Sequence, residues 1–311
     1  MVKLKELVKD SVAGEEYFLK GNSSCAGCGG ELSIRWILKA LGKNTIVVTP
    51  ASCFNVTIGL YPKAAPAIPY LNMAFAAGAA ACSGIAAGLA ARKKRDPSME
   101  NITVLCYGGD GGTIDIGIQG LSGAAERGAN IIYVCYDNEA YMNTGTQRSG
   151  GTPFGAWTTT TPTGKQQHKK NVPMIMAAHG IPYVATACSA YPLDLYQKAK
   201  KAKDIKGTKY IHVLAPCAPG WRFPTELTIE IGRKAVQTGM WVLYEIENGK
   251  MSLSGPSKKF LEKEKRTPIE DYVKLQGRFR NISPEKIQTL QKWVDQQWES
   301  LQHRLQYCSE F

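Results

Sequence analysis

Ile102-Thr-Val-Leu-Cys-Tyr107 is a short apolar run rich in β-branched and aromatic residues, and it breaks at Gly108-Gly109-Asp110-Gly111-Gly112. Over 113–127 the apolar positions return at 114, 118, 121 and 125, the spacing of one helix face. A second run, Ile131-Ile-Tyr-Val-Cys-Tyr136, then stops at Asp137-Asn138-Glu139-Ala140. Strand, glycine turn, helix and strand predict one right-handed βαβ unit, with Asp110 and Asn138 at the C-terminal ends of neighbouring parallel strands. Similar alternation runs through the rest of the chain. A helix is expected over 32–41, a strand over 45–49 and an alanine-rich helix over 73–91 after a proline-rich loop, 61–70. Helices over 172–179 and 192–203 alternate with strands over 183–187 and 210–215. Beyond Lys234 the pattern changes. Runs at 241–246 and 251–253 flank Asn248-Gly249, a hairpin signal. A last helix opens at Ser283-Pro284-Glu285 and carries apolar residues at 287, 290, 294, 298, 301 and 305. That stripe is expected to serve as an intersubunit arm. The chain therefore reads as an α/β fold with a mostly parallel sheet flanked by helices. An N-terminal arm (1–20), a main domain (21–240) and a C-terminal extension with a helical arm (241–311) are its expected parts.

Composition narrows the class. At 311 residues and 44% hydrophobic content the chain can bury one large core or two modest ones. Met1-Val-Lys-Leu-Lys-Glu is charged from the start and shows no secretory leader, so a cytoplasmic protein is expected. The longest apolar stretch, 74–91, is mostly Ala and Gly and ends in Arg92-Lys-Lys-Arg95. It reads as a tightly packed buried helix and not as a membrane span. Net charge is +12, with basic runs at 92–95, 198–209 and 257–266. Neither an aromatic-interleaved patch nor a known nucleic-acid-binding motif accompanies them, so an acidic protein partner is the favoured reading over mere solvation or nucleic acid.

The candidate chemistry sits where strands end. Asp110 and Asn138 offer hard oxygens that suit Mg²⁺, which keeps open positions for phosphate and water. The glycines around Asp110 let a diphosphate approach the backbone at a helix N-terminus. The bland alternative is an ordinary βα turn with a solvated aspartate. Cys25-Ala-Gly-Cys28 lies in a glycine-rich loop, and as a Cys-x-x-Cys it fits a redox pair, half a zinc site, part of an iron–sulfur cluster or a chance pair. Cys53 follows the strand over 45–49, and Cys217 lies in Pro216-Cys217-Ala-Pro219-Gly220 after the strand over 210–215. Cys82, Cys106, Cys135 and Cys188 fall inside helix or strand patterns, where free Cys acts as a small buried hydrophobe; Cys308 is in the tail. The Gly/Thr/Ser-rich loop 145–166 is long enough to be functional and is expected to cover a cofactor.

Gly109-Asp110-Gly111, followed after twenty-six residues by Asn138, resembles the thiamine diphosphate motif. Cys-x-x-Cys, Cys53, that motif and Cys217 stand in an order similar to the β subunit of a 2-oxoacid:ferredoxin oxidoreductase, most like the pyruvate type. The likeness runs over 21–250. It is most specific in Gly-Gly-Asp-Gly-Gly-Thr-Ile-Asp-Ile-Gly, Tyr-Asp-Asn-Glu-Ala-Tyr-Met-Asn-Thr-Gly and Thr-Pro-Phe-Gly-Ala-Trp-Thr-Thr-Thr-Thr-Pro. The resemblance implies a thiamine-diphosphate-binding fold in which Cys25, Cys28, Cys53 and Cys217 ligate one [4Fe–4S] cluster. Asp110, Asn138 and the Ala140 carbonyl would take Mg²⁺. Cys28, Gly29, Ser52, Cys53, Gly109, Gly111, Asn143 and Thr144 are the further expected cofactor contacts, Asn143 being the candidate catalytic residue. It also implies oxidative decarboxylation of a small 2-oxoacid, with electrons passing through the cluster to ferredoxin and coenzyme A taking the acyl group of pyruvate. Partner subunits of α and γ/δ type are implied, the α type supplying the cofactor-activating glutamate, so Glu31 is not given that role. One departure stands out. Relatives of the pyruvate type show an aromatic-rich loop and then Ala-Phe-Glu-Asn, whereas this chain has Leu60-Tyr-Pro-Lys63 and Ala74-Phe75-Ala76-Ala77. That opens oxalate as an alternative substrate, needing no coenzyme A. A non-redox thiamine-diphosphate decarboxylase or transketolase would leave four turn-borne cysteines idle, and a zinc-stapled binding module would hold Zn and no Fe.

Overall fold

The computed structural model describes Val8, Lys9, Val12 and residues 14–58 and 64–307. Lys63 and Cys308 lie outside the described residues. The strands are β1 (Thr45–Pro50), β2 (Tyr70–Met73), β3 (Thr103–Gly109), β4 (Ile132–Asp137), β5 (Tyr183–Cys188), β6 (Lys209–Leu214), β7 (Tyr244–Glu247) and β8 (Lys250–Leu253). They form one eight-stranded sheet in the order β2-β1-β3-β4-β6-β5-β7-β8. β1 to β6 pair in parallel, while β7 joins β5 antiparallel and turns into β8. Parallel strands covered on both faces need almost continuous apolar sequence, and β4, β5 and β6 bury every residue.

Strand alternation divides the core into two layers. Val47, Leu105, Tyr107, Val134 and Ile211 face one side, where α1 (Gly29–Leu41) lies. Val48, Cys106, Tyr133, Cys135 and Tyr210 face the other, covered by α2 (Gly78–Arg95), α3 (Ile118–Glu126), α4 (Val172–Ala178), α6 (Thr228–Gln237) and α7 (Pro284–Tyr307). Helix α5 (Pro192–Asp204) packs beside α1. From β1 the chain moves outward to β2, and from β3 it moves the other way. Strand order thus reverses between β1 and β3, and the C-terminal ends of those two strands frame the crevice where open α/β sheets bind ligands.

Two expectations about helices are corrected. The alanine-rich helix is long and apolar enough to cross a membrane by length and composition, yet it is not buried: α2 sinks only Gly78, Ala79 and Cys82 into the core. Ala and Gly raise mean hydropathy but offer little area to cover, so an outer-layer position costs little. The stripe of α7 is not free for a partner, since Leu290, Val294 and Trp298 are buried in this chain's own core and Trp298 Nε1 donates to Gly239 O at 3.1 Å. Segment 241–253, expected to belong to an extension, supplies β7 and β8 to the main sheet. Asn248 (φ 47°) and Gly249 (φ 80°) form the expected tight turn.

Candidate cofactor site

Four loops meet at the β1/β3 crevice, and two tyrosines under them fix their heights. Tyr107 of β3 and Tyr136 of β4 stack at 4.7 Å. Tyr107 Oη donates to Gly30 O at 2.6 Å, and Phe54 N donates to Tyr136 Oη at 3.0 Å. The loops bearing Cys28 and Cys53 are therefore hydrogen-bonded to the same aromatic pair. Gly29 N donates to Pro216 O at 3.1 Å, and a Cβ at Gly29 would lie 2.8 Å from Pro216 N and O. Glycine is what lets the Cys-x-x-Cys loop touch the Cys217 loop. From α6, Thr228 Oγ1 donates to Gly27 O at 2.7 Å and holds that loop from behind. Gly29 thus serves the contact between cysteine loops, and neither it nor Cys28 is among the cavity-lining residues.

The cavity itself measures about 130 Å³ and is lined by Ser52, Cys53, Gly109, Asp110, Gly111, Asn138, Ala140, Asn143 and Thr144, each anticipated from sequence. Asn55, Val56, Phe75, Gly112, Tyr136, Tyr141 and Met142 complete the wall, with Ala51. Tyr141 explains Gly111: a Cβ there would lie 2.4 Å from the Tyr141 ring. After Asp110 the chain makes a π-helical turn, Gly111–Asp115, before α3, a wide turn often found at functional sites.

Asp110 is buried, and its Oδ2 accepts from Ser149 Oγ. Asn138 Nδ2 points to Cys53 Sγ at 3.9 Å. Asn138 Oδ1 consequently sits 3.0 Å from Asp110 Oδ1 and 3.0 Å from Ala140 O, two acceptors with no hydrogen to share. Turned about, the amide nitrogen would donate to both oxygens at the same distance. Burial, and after it the neighbouring Asp137 carboxylate, push the Asp110 pKa well up.

A buried ionic frame, not visible in the local sequence, holds the backbone of 137–140. Lys169 Nζ bridges Asp137 Oδ2 (2.8 Å) and Glu139 Oε1 (2.6 Å). Arg278 Nη2 lies 2.6 Å from Glu139 Oε2, and His212 Nε2 lies 3.0 Å from Asp137 Oδ2. Burial alone would raise the Asp137 pKa, but Lys169 and His212 together hold it below the usual carboxylate range. Thr152 Oγ1 donates to Glu139 O at 2.6 Å, and Trp221 Nε1 donates to Asn138 O at 2.7 Å. Gripped on several sides, Glu139 adopts φ 67°, a left-handed conformation that a non-glycine residue holds only when its surroundings impose it. That kink presents the Asn138 side chain and the Ala140 carbonyl to Asp110. The only local hint was that Asp137 and Glu139 flank Asn138 at the end of a buried strand.

Asn143 and Thr144, just before the loop 145–166, rim the cavity, and residues 149–152 of the loop fold behind Asp110. Lys165 Nζ donates to Ser149 O, Gly150 O and Thr152 O and locks that position.

Among the cysteines, Cys53 and Cys217 are pushed up to about 12 and Cys28 is also raised, by burial first and then, for Cys53 and Cys217, by the neighbouring cysteines of the set, Cys25 included. Among the described residues no three His, Cys, Asp or Glu side chains close on a single ion; a four-iron cluster asks for wider spacing than one ion does.

This fold and site define a class. Residues 52–213 match the family described as thiamine pyrophosphate enzyme, C-terminal TPP binding domain. The chain is 48% identical to pyruvate synthase subunit PorB of Methanothermobacter marburgensis, covering 90% of this chain and 96% of that one. It is 50% identical to ketoisovalerate oxidoreductase subunit VorB of Pyrococcus horikoshii, covering 92% and 93%. The 2-oxoglutarate:ferredoxin oxidoreductase from Magnetococcus marinus, solved with 2-oxoglutarate, coenzyme A and succinyl-CoA bound, superposes with a TM-score of 0.55 at 20% identity. It covers 70% of this chain and 79% of that one, and shares the fold. The chain belongs to the β subunits of the 2-oxoacid:ferredoxin oxidoreductases.

Proposed function

We propose that this β subunit holds the diphosphate end of thiamine diphosphate through Mg²⁺ bound by Asp110, Asn138 and the Ala140 carbonyl, and carries a [4Fe–4S] cluster on Cys25, Cys28, Cys53 and Cys217. The observation that carries the reading is the convergence of the Asn138 side-chain amide on Asp110 Oδ1 and Ala140 O, 3.0 Å from each. Neighbouring ligands of an octahedral ion with metal–oxygen bonds of about 2.1 Å lie about 3.0 Å apart, so this spacing suits three ligands of one cation when the amide oxygen is turned to Asp110 and Ala140, and a pair of hydrogen bonds when the amide nitrogen is turned there. A cation would also relieve the cost of ionising a buried Asp110 beside Asp137. Bound thiamine diphosphate would supply carbanion chemistry at a 2-oxo carbon, and the cluster one-electron steps.

The chain's own residues bind and orient. Gly109, Gly111 and Gly112 offer backbone without side chains to the diphosphate, and exposed Asn143 and Thr144 stand at the rim where the reactive ring and substrate would lie. Cys53 lines the cavity while its loop hangs from Tyr136, an arrangement that would set a cluster on Cys53 beside the cofactor. At about 130 Å³ the cavity is smaller than the roughly 300 Å³ or more that encloses a cofactor-sized ligand. An α-type subunit would close the site and contribute the activating glutamate, with γ/δ-type subunits carrying electrons to ferredoxin. Pyruvate with coenzyme A is the proposed reaction. The relatives' names divide between pyruvate and ketoisovalerate at 48% and 50% identity, so similarity does not separate them. Phe75, Ala76 and Ala77 put no polar pair beside the cavity, which keeps oxalate as the second substrate to assay.

Asp110→Ala in the co-purified complex tests the reading. Thiamine diphosphate content is expected to fall at least a hundredfold while iron content stays unchanged. Cofactor retained at wild-type affinity would remove the Mg²⁺ assignment.

A further inference from the structure

A second cavity, about 450 Å³ in volume, opens on the α4/α7 side of the sheet and shares no lining residue with the cofactor cavity. Its walls come from the start of α4, from β5, β6 and β7, and from α7. Trp293 supplies free aromatic surface, while Trp241, also in the wall, already carries Lys169 Nζ 4.8 Å over its ring and packs against His212 at 5.4 Å. Trp241 is pinned by Nε1 donating to Ala187 O at 2.8 Å, and one face of Trp293 is covered by His168 at 4.8 Å and 6°, so what remains of that ring meets the cavity. No Asp or Glu lines the space, whereas Lys169, Lys170 and Arg304 do. The two lysines already face carboxylates: Lys169 those of Asp137 and Glu139, and Lys170 that of Asp115 at 3.6 Å. Arg304 has no carboxylate partner among the described residues, and its charge acts on the Tyr244 phenol in the cavity wall. The unmatched charge of the cavity is thus one guanidinium, a group whose fork suits phosphate and carboxylate.

The spacing on α7 sets the shape of the occupant. Trp293, Gln297, Ser300 and Arg304 recur at helical intervals along one face, with the ring at one end, amide and hydroxyl in the middle and the cation at the other. Eleven residues of helix span roughly 16 Å, from which the backward reach of the Arg304 side chain subtracts several ångströms. A ligand that stacks at one end and is neutralised at the other must be elongated, with a polar middle. A cavity in the range that holds small organic ligands has room for one.

We propose that this cavity is a binding site for a nucleoside monophosphate-like anion, its flat heteroaromatic ring against Trp293, its sugar near Gln297 and Ser300, and its phosphate on Arg304. The site does not depend on the reading of the cofactor cavity.

Calorimetric titration of the intact complex, saturated with thiamine diphosphate and Mg²⁺, tests it with three probes: 5′-AMP, adenosine and inorganic phosphate. AMP is expected to bind with submillimolar Kd, adenosine at least tenfold more weakly, and phosphate not measurably below 10 mM. Arg304→Gln is expected to weaken AMP at least tenfold and bring it level with adenosine. Ser300→Trp, on the exposed side of α7, should fill the cavity and abolish binding without lowering Tm. Absence of AMP binding below 10 mM overturns the proposal. So does AMP binding that both variants leave intact, or phosphate binding as tightly as AMP, which would make the site a bare anion hole.

Discussion

Two sets of cysteines share this chain and obey different physics. Cys82, Cys106, Cys135 and Cys188 are buried within helices and strands as small hydrophobic residues, Cys188 Sγ also donating to Gly232 O at 3.7 Å. Cys25, Cys28, Cys53 and Cys217 stand on turns, partly or fully accessible, in loops that are hydrogen-bonded or electrostatically linked to one another. Thiol pKa does not tell the sets apart. Burial drives Cys188 up to about 12, just as it does Cys53 and Cys217. Cysteine neighbours do not separate them either, since Cys82 and Cys135 act on buried Cys106 as Cys28 and Cys25 act on Cys53 and Cys217. Place in the fold does, one set lying inside elements and the other where strands end and helices begin. Convergence at the end of a sheet, and not reactivity of a single thiol, is what marks a cluster site.

The largest effect that would sharpen this contrast is expected from Cys53→Ser. Iron content should drop to near zero while the far-ultraviolet circular dichroism of the complex is kept, because only a turn is altered; full iron retention would break the contrast. A smaller effect is expected in the embedded set. Cys135→Ser places a hydroxyl in a dry layer of the core and should cost about 1–3 kcal/mol in denaturant unfolding, with iron per complex unchanged. The smallest concerns burial as a general source of pKa shifts. Lys165 is held to about 8 by burial first and then by Arg148 and Lys169, against an ordinary 10.5. Between those values the unfolded chain binds more protons than the native one, so this lysine makes stability rise with pH from about 8 towards 10.5. Urea melts of wild type and Lys165→Met should show the wild-type advantage growing over that window and constant below it; a gap that narrows would contradict the shift.

How much of this was legible depended on whether the causes were local. The βαβ unit around Asp110 and Asn138 could be read because its signals, apolar runs ending in glycine or in Asp-Asn, lie within a few residues of what they determine. The two helices misjudged from sequence show the limit. α2 is apolar on average but built of Ala and Gly, with Ala80, Gly84 and Ala87 left exposed. α7 is polar on average, yet Leu290, Val294 and Trp298 recur on one face and bury it. Size and period decided burial, and mean hydropathy did not. The frame on Asp137 and Glu139 was illegible for another reason: Lys169, His212 and Arg278 reach it from three distant segments, and charged residues spaced so widely carry no pattern. Such pairs exist only once the topology has formed.

The central claim is that four turn-borne cysteines, the most distant of them Cys217, hold a cluster beside the thiamine diphosphate site. The most direct measurement is iron stoichiometry with low-temperature electron paramagnetic resonance on anaerobically purified complexes carrying Cys217→Ser or Cys188→Ser. Cys217→Ser is predicted to lose this subunit's cluster or convert it to a three-iron form, and Cys188→Ser to leave iron and spectrum unchanged. The reverse pattern, with iron lost on Cys188→Ser and kept on Cys217→Ser, would contradict the account.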